Sequence, residues 1–250
     1  MTEVYTMARQ SGSEIAKRGF QSEKDIVTKF NKWKDDDDCK QWLKRMGYKL
    51  NEIKSVQSRT IRNNKTDIQV KISRTDNGNI DTHNIQVKSL SNSRGFNQVD
   101  KRWIDTYQDM WNIPDDTTQL LKYYTGEIKP FTADVDKNRM YLDEFTSEQQ
   151  ENILNFFKEN KIWIICDLLR GRGSYSAEWI LVVQKTDRIR WILQPINKVI
   201  NYYSKGDVFI TPKGNLKIGR ISMQRKGGDN GKKSANMLQF KINPAKLFEI

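Results

Sequence analysis

Asp67 and, further along the chain, Gln86-Val87-Lys88 bring together residue types that can act on a phosphodiester. A carboxylate and a second hard oxygen donor are what Mg²⁺ selects. Asp67 would supply the first, and the Gln86 side-chain oxygen or the Val87 carbonyl the second. If the segment is a strand, Gln86 and Lys88 lie two residues apart and share one face. Lys88 would then orient or help deprotonate an attacking water and stabilise charge on the phosphate, while the cation polarises the phosphorus centre. Glu23, on an early helical segment, is a further oxygen donor. Each has a plainer alternative: polar residues on an exposed strand face for the trio, and a first-turn acid facing the helix dipole for Glu23.

The elements that would hold these residues are written in the hydrophobic spacing. Thr66–Ile72 alternates polar and apolar residues, as does Asn84–Lys88, and the Asn77-Gly78 pair between them is a strong hairpin signal, so two antiparallel strands are expected. Upstream, residues 14–45 repeat apolar positions mostly three or four apart, which predicts helix, with Ser22 as a cap. The Asp35–Asp38 run lacks EF-hand spacing and reads as a solvated loop or helix end. Residues 97–124 are expected to be helical. Thr146-Ser147-Glu148-Gln149 opens another helix, to about Asn160, through a capping box. Lys161–Leu168, Glu178–Gln184, Val208–Ile210, Leu216–Met223 and Met237–Ile242 read as strands, and Trp191–Tyr203 fits either state. The mixture predicts an α/β fold with a central mixed β-sheet flanked by helices and a basic, β-rich C-terminal region, in one domain over residues 1–250.

Composition narrows the function classes. The 250 residues carry 43 Lys and Arg against 31 Asp and Glu, a net charge of +12 that favours a polyanionic partner. Two cysteines (Cys39 and Cys166) and one histidine (His83) exclude a disulfide framework and zinc-finger chemistry. The longest apolar run, Ile162–Cys166, is far below the ~20 residues of a membrane-spanning helix, and Met1-Thr2-Glu3-Val4 shows no leader pattern. A soluble, cytoplasmic protein is the expectation.

Thr66-Asp67 followed by Gln86-Val87-Lys88 resembles the core motif of the PD-(D/E)xK nuclease superfamily. More closely, the chain resembles type II restriction endonucleases of the HinP type, which act at GCGC. The resemblance runs through Gly19-Phe20 with Glu23–Ile26, Asn51–Val56, His83–Lys88, Arg94–Gln98, Leu169–Gly173, Gln224–Gly231 and Ala235–Ile242, nearly the whole chain. It implies a restriction-endonuclease-like core and Mg²⁺-dependent hydrolysis of both strands of double-stranded DNA at a short palindrome, leaving 5′-phosphate ends. It also implies a bacterial restriction–modification system with a cognate DNA methyltransferase. On this resemblance Asp67 is the metal-binding acid and Lys88 the active-site lysine. Gln86 departs from the superfamily's usual Asp or Glu but matches the HinP type. A neutral amide holds a hard cation less strongly than a carboxylate, so Glu23 and Thr66 are candidates for the remaining oxygens. A structure-specific repair or junction nuclease and a non-catalytic DNA-binding module are the competing classes.

DNA-reading residues are expected in three places. Residues 213–241 hold eight Lys and Arg against the single acid Asp229. Within or beside the glycines at 227, 228 and 231 lie Arg225, Lys226, Asp229, Asn230, Lys232, Lys233, Asn236 and Gln239, side chains suited to phosphates and base edges. Arg94-Gly95-Phe96-Asn97-Gln98 follows the hairpin: Phe96 either wedges between base steps or anchors the loop in the core, with Asn97, Gln98 and Lys101 as base readers. Arg170 and Arg172, set between glycines, read as a phosphate-contact loop or a plain charged turn. His83 is expected to be structural.

Overall fold

The computed structural model describes residues 12–75, 78–92, 95–132, 135–186, 189–228 and 231–250. Their contacts group into two compact units, residues 1–91 with 175–193, and residues 92–174 with 194–250. The hairpin tip at Asp76-Asn77 falls outside the described residues.

The first unit opens with helices α1 (Gly12–Asn31) and α2 (Asp37–Arg45). The helical stretch expected over 14–45 is therefore broken. Asp36 caps α2 by accepting from the Cys39 amide at 2.8 Å, and Lys29 bridges Asp36 and Asp38 at 2.8 and 2.9 Å. Ser22 does not cap a helix; it is buried inside α1, where its hydroxyl accepts from Lys185 Nζ at 3.1 Å. Strands β1 (Ile53–Thr60), β2 (Ile68–Arg74) and β3 (Ile80–Leu90) form an antiparallel ladder, and β5 (Trp179–Lys185) joins β3 in parallel. With β6 (Ile189–Pro195) the order is β1-β2-β3-β5-β6, a five-stranded mixed sheet.

Alternation gives this sheet two chemically distinct faces. Ile68, Val70, Ile72, Ile85 and Val87 project into a core with Ile26 and Phe30 of α1 and Trp42 and Leu43 of α2. Trp42 meets Phe30 at 5.3 Å and Trp191 edge-on at 5.7 Å between ring centroids. Each such fully buried side chain contributes about 1.5–3 kcal/mol. The intervening residues Asp67, Gln69, Asn84, Gln86 and Lys88 belong to the other face.

The second unit contains β4 (Asn97–Arg102), α3 (Ile104–Trp111), α4 (Asp115–Thr125), α5 (Ser147–Glu159), α6 (Lys161–Leu169), α7 (Ile196–Tyr203), β7 (Val208–Ile210), β8 (Leu216–Ile218), β9 (Ile221–Arg225) and β10 (Leu238–Ile242). Its sheet runs β4-β10-β9-β8-β7, with every adjacent pair antiparallel. Tyr107 stacks on Trp111 at 4.6 Å, and both meet Phe240 edge-on at 5.3 and 5.7 Å, tying α3 to this sheet. Thr146 and Gln149 form the expected capping box of α5.

Two further expectations are corrected and one open stretch is resolved. Lys161–Leu168 is helical, not a strand. Its buried residues are Ile164, Ile165, Leu168 and Leu169, a helical spacing, while Ile162 and Trp163 face solvent. Residues 97–124 are not all helical, because Asn97–Arg102 pairs with β10 before α3 begins. The ambiguous stretch divides at Pro195, which lacks a ladder donor and ends β6 where α7 starts. Among the described residues no helix is long and apolar enough to cross a membrane.

Candidate active site

The candidate chemistry is assembled on the polar face of the first sheet, where β2 and β3 part. Their ladder ends at the Ile68–Ile85 pair, which Asp67 directly precedes on one chain segment and Gln86 directly follows on the other. The Asp67 amide still donates to the Ile85 carbonyl at 3.0 Å. Beyond it the ladder passes from backbone to side chain: the Val87 amide donates to Asp67 Oδ2 at 2.7 Å. This bond fixes the carboxylate at the strand start and commits the Val87 N–H. Thr66 is fully buried and its hydroxyl donates to the Tyr175 carbonyl at 2.7 Å, so it anchors the segment preceding Asp67.

Gln86 is the exceptional residue of the group. It is only 3% exposed, and its Oε1 has no hydrogen-bond partner among the described residues. Leaving a buried acceptor unsatisfied costs about 1–3 kcal/mol. The neighbouring buried amides on the same face are satisfied: Arg59 donates to Gln69 at 2.9 Å, Gln69 to Asn84 at 3.3 Å, and Asn84 to the Ser176 carbonyl at 3.2 Å.

Electrostatics bring Glu23 into the same group. Its carboxyl is pushed up to about 7, first by burial and then by the negative charge of Asp67, against the opposing pull of Lys88 and Arg62. Asp67 is also raised, by burial, although Lys88, the Val87 amide and Lys65 oppose the shift. Two half-buried carboxylates that resist ionising together, beside a buried amide oxygen, fit a hard divalent cation. The donor set is all oxygen, as Mg²⁺ requires. Among the described residues no group of three or more His, Cys, Asp or Glu forms a metal cluster, so a cation here would depend on the neutral amide of Gln86.

His83, on the same strand, is occupied elsewhere. Its Nε2 meets the Tyr48 hydroxyl at 2.7 Å, and Trp179 Nε1 donates to its Nδ1 at 3.4 Å.

The candidate DNA-reading residues all belong to the second unit. Phe96 is 55% exposed, so it does not anchor the core, and Lys217 Nζ lies 5.6 Å above its ring. Asn97 begins β4, Gln98 is exposed on it, and Lys101 pairs with Gln239 of β10. Arg170 caps α6 at its C-terminus and is exposed. Arg172 is held by Asp167, with Nε–Oδ1 at 2.9 Å and Nη2–Oδ2 at 2.5 Å, and donates to the Met110 carbonyl at 2.8 Å. It therefore braces the end of α6.

Arg225 and Asn236 are likewise engaged internally, Arg225 donating to Asn236 Oδ1 at 2.7 Å and Asn236 donating to the Gly126 carbonyl at 2.7 Å. Gln239 is buried, with its Nε2 on the Arg225 and Lys226 carbonyls, both at 3.2 Å. Lys232 and Lys233 are exposed. Gly227 and Gly228 adopt φ of 62° and 63°, a left-handed backbone that explains glycine there. Arg94, Asp229 and Asn230 lie outside the described residues. Sequence reasoning missed the Tyr175 carbonyl behind Thr66 and the Glu178 carboxylate, which accepts from the Asn84 amide at 2.9 Å. Neither is signalled by local spacing, because both contacts span about a hundred residues of chain.

A family model described as R.HinP1I restriction endonuclease matches residues 46–248. Among solved structures, the chain is similar to the restriction endonuclease MspI, determined in complex with its cognate DNA, with a TM-score of 0.62 at 16% identity over 88% of this chain and 87% of that one. At that identity the likeness concerns the fold: a mixed sheet flanked by helices. No curated protein matches.

Proposed function

Because the chain belongs to the R.HinP1I restriction endonuclease family, a family of type II site-specific DNA-cleaving enzymes, we propose that it uses Asp67, Gln86 and Lys88 to hydrolyse both strands of duplex DNA at a short palindrome, GCGC, leaving 5′-phosphate ends. The observation that carries the reading is the buried Gln86 Oε1, without a hydrogen-bond partner among the described residues, on the strand whose Val87 amide holds Asp67, with Lys88 two residues further along the same face. The fold shared with an enzyme determined on its cognate DNA supports duplex DNA as the substrate.

Asp67, Gln86 Oε1 and Glu23 would hold Mg²⁺. When bound, the cation supplies positive charge that polarises the scissile phosphate and acidifies the attacking water. The chain's own groups do the rest. The Val87 amide keeps Asp67 in a fixed orientation. Lys88 presents a cation to the phosphate oxygens, where negative charge builds during in-line attack, and orients the water. The Glu23 carboxyl, pushed up to about 7 in the metal-free chain, would be held ionised by the cation. A cognate DNA methyltransferase would protect host sites.

The test is digestion of a sequenced plasmid with Mg²⁺, followed by mapping of the ends. Discrete fragments ending at GCGC are expected, and a pattern unrelated to GCGC would overturn the site assignment. Asp67→Ala and Lys88→Ala should each lower the cleavage rate roughly a hundredfold or more while binding persists. Undiminished cleavage by both variants would refute the active-site assignment.

A further inference from the structure

The second sheet carries one lateral row of residues that crosses all five strands. Phe209 of β7 pairs with Lys217 of β8, Lys217 with Ser222 of β9, Ser222 with Lys241 of β10, and Lys241 with Gln98 of β4. Their strand neighbours Leu216, Ile218, Ile221, Phe240 and Ile242 are all fully buried, so the row faces away from the core.

Lys217 and Lys241 are half-buried, yet neither has a carboxylate partner among the described residues. Burial alone draws both ammonium groups below the usual lysine range. Among the described residues the one hydrogen bond Lys217 makes is to the Ser222 hydroxyl, at 2.6 Å, and its charge lies over the Phe96 ring. Two partly dehydrated like charges in one row, without a counter-charge, are unfavourable unless an anion completes them. The lysines stand on strands two ladder spacings apart, roughly 9.5 Å, with a hydroxyl between them. That spacing lets their flexible side chains converge on one phosphate or take two adjacent ones.

We infer that Lys217, Ser222 and Lys241 form a phosphodiester-binding row that grips the DNA backbone beside Phe96 and Gln98. The inference rests on the DNA-cleaving function proposed above and deepens it: it separates the residues that hold the backbone from those that read bases. Backbone contacts carry the salt dependence of binding, and base contacts carry the discrimination between sequences.

The experiment measures Kd by fluorescence anisotropy against KCl concentration, without divalent metal, for a GCGC duplex and a duplex lacking the site. Lys217→Met/Lys241→Met keeps the aliphatic stems and removes both charges. It should weaken binding to the two duplexes by the same factor and make the slope of log K against log salt shallower by about 2. Each single variant should change the slope by about 1, which keeps the measurement available if the double variant does not fold. Lys217→Arg and Lys241→Arg should retain the slope. An unchanged slope in the Met variants would overturn the row, and a loss confined to the GCGC duplex would reassign the lysines to base reading. Failure of the wild type to bind either duplex would instead bring down the DNA-cleaving function on which the inference rests.

Discussion

Burial holds the carboxyls of Glu23 and Asp67 above their ordinary values, so their ionised forms carry unfavourable charge in the folded chain. In the unfolded chain Glu23 ionises near its ordinary value of 4.5, and in the folded chain near 7. Below pH 4.5 both states are protonated and the residue has no effect on stability. Between 4.5 and 7 the unfolded chain releases a proton that the folded chain keeps, so stability falls as pH rises, and above 7 the penalty is complete. Glu23→Gln should therefore leave the metal-free Tm unchanged at pH 4 and raise it at pH 8. With allowance for partial solvent screening the gain is roughly 1 kcal/mol, or about 2–4 °C for a chain of this size. Added Mg²⁺ should raise the wild-type Tm at pH 8 more than that of the variant. A variant no more stable than wild type at pH 8 would remove Glu23 from the cation group. Asp67 and Lys88 were proposed from residue type and spacing. The unsatisfied Gln86 oxygen was not, since sequence does not report which buried acceptors go without a donor.

At the scale of elements, the β2–β3 hairpin frames the candidate site, because Asp67 and Gln86 flank its last pair, Ile68–Ile85, the Val87 amide holds Asp67, and strand alternation puts Lys88 on the same face as Gln86. The hairpin was readable because period-two patterning and an Asn-Gly turn agree. Residues 161–169 were misread because a short apolar run rich in Ile fits a buried strand and a helix equally well. Burial at 164, 165, 168 and 169 decides for the helix. Phe96 separates from the core in the same way, by exposure. Phe96→Ala should shift Tm by no more than about 1–2 °C, the range of a surface substitution in a chain of this size. If the ring wedges between base steps, the same change should lower the cleavage rate or relax site choice. A large loss of Tm would mean that the ring supports the fold.

For the whole molecule, the excess of basic charge predicts binding that is strongly salt-sensitive. If six or more phosphates are neutralised, affinity for duplex DNA should fall roughly a thousandfold or more between 50 and 200 mM salt, as a titration would show. Near-constant affinity over that range would argue for a largely non-electrostatic interface. The candidate residues divide between the two units: the oxygen donors and Lys88 belong to the first, and the candidate DNA readers to the second. The basic segment 213–241 was conspicuous in sequence, but its members have diverged in use. Arg225 donates to Asn236 and Asn236 to the Gly126 carbonyl, whereas Lys217 and Lys241 have no counter-charge among the described residues. Their pattern was present in Leu216-Lys217-Ile218 and Phe240-Lys241-Ile242, where a lysine alternates with core residues.

By itself the sequence determined the mixed α/β character, the β2–β3 hairpin, the basic balance and the resemblance to a nuclease family. Each of these is encoded in side-chain type and short-range period, which local sterics and hydrophobic alternation translate directly into structure. Tertiary structure alone decided that Thr66 is anchored by Tyr175, that Gln86 lacks a partner, and that Lys217, Ser222 and Lys241 line up across three strands. Those facts depend on pairing between distant segments, and strand register is a property of the assembled sheet rather than of any one strand.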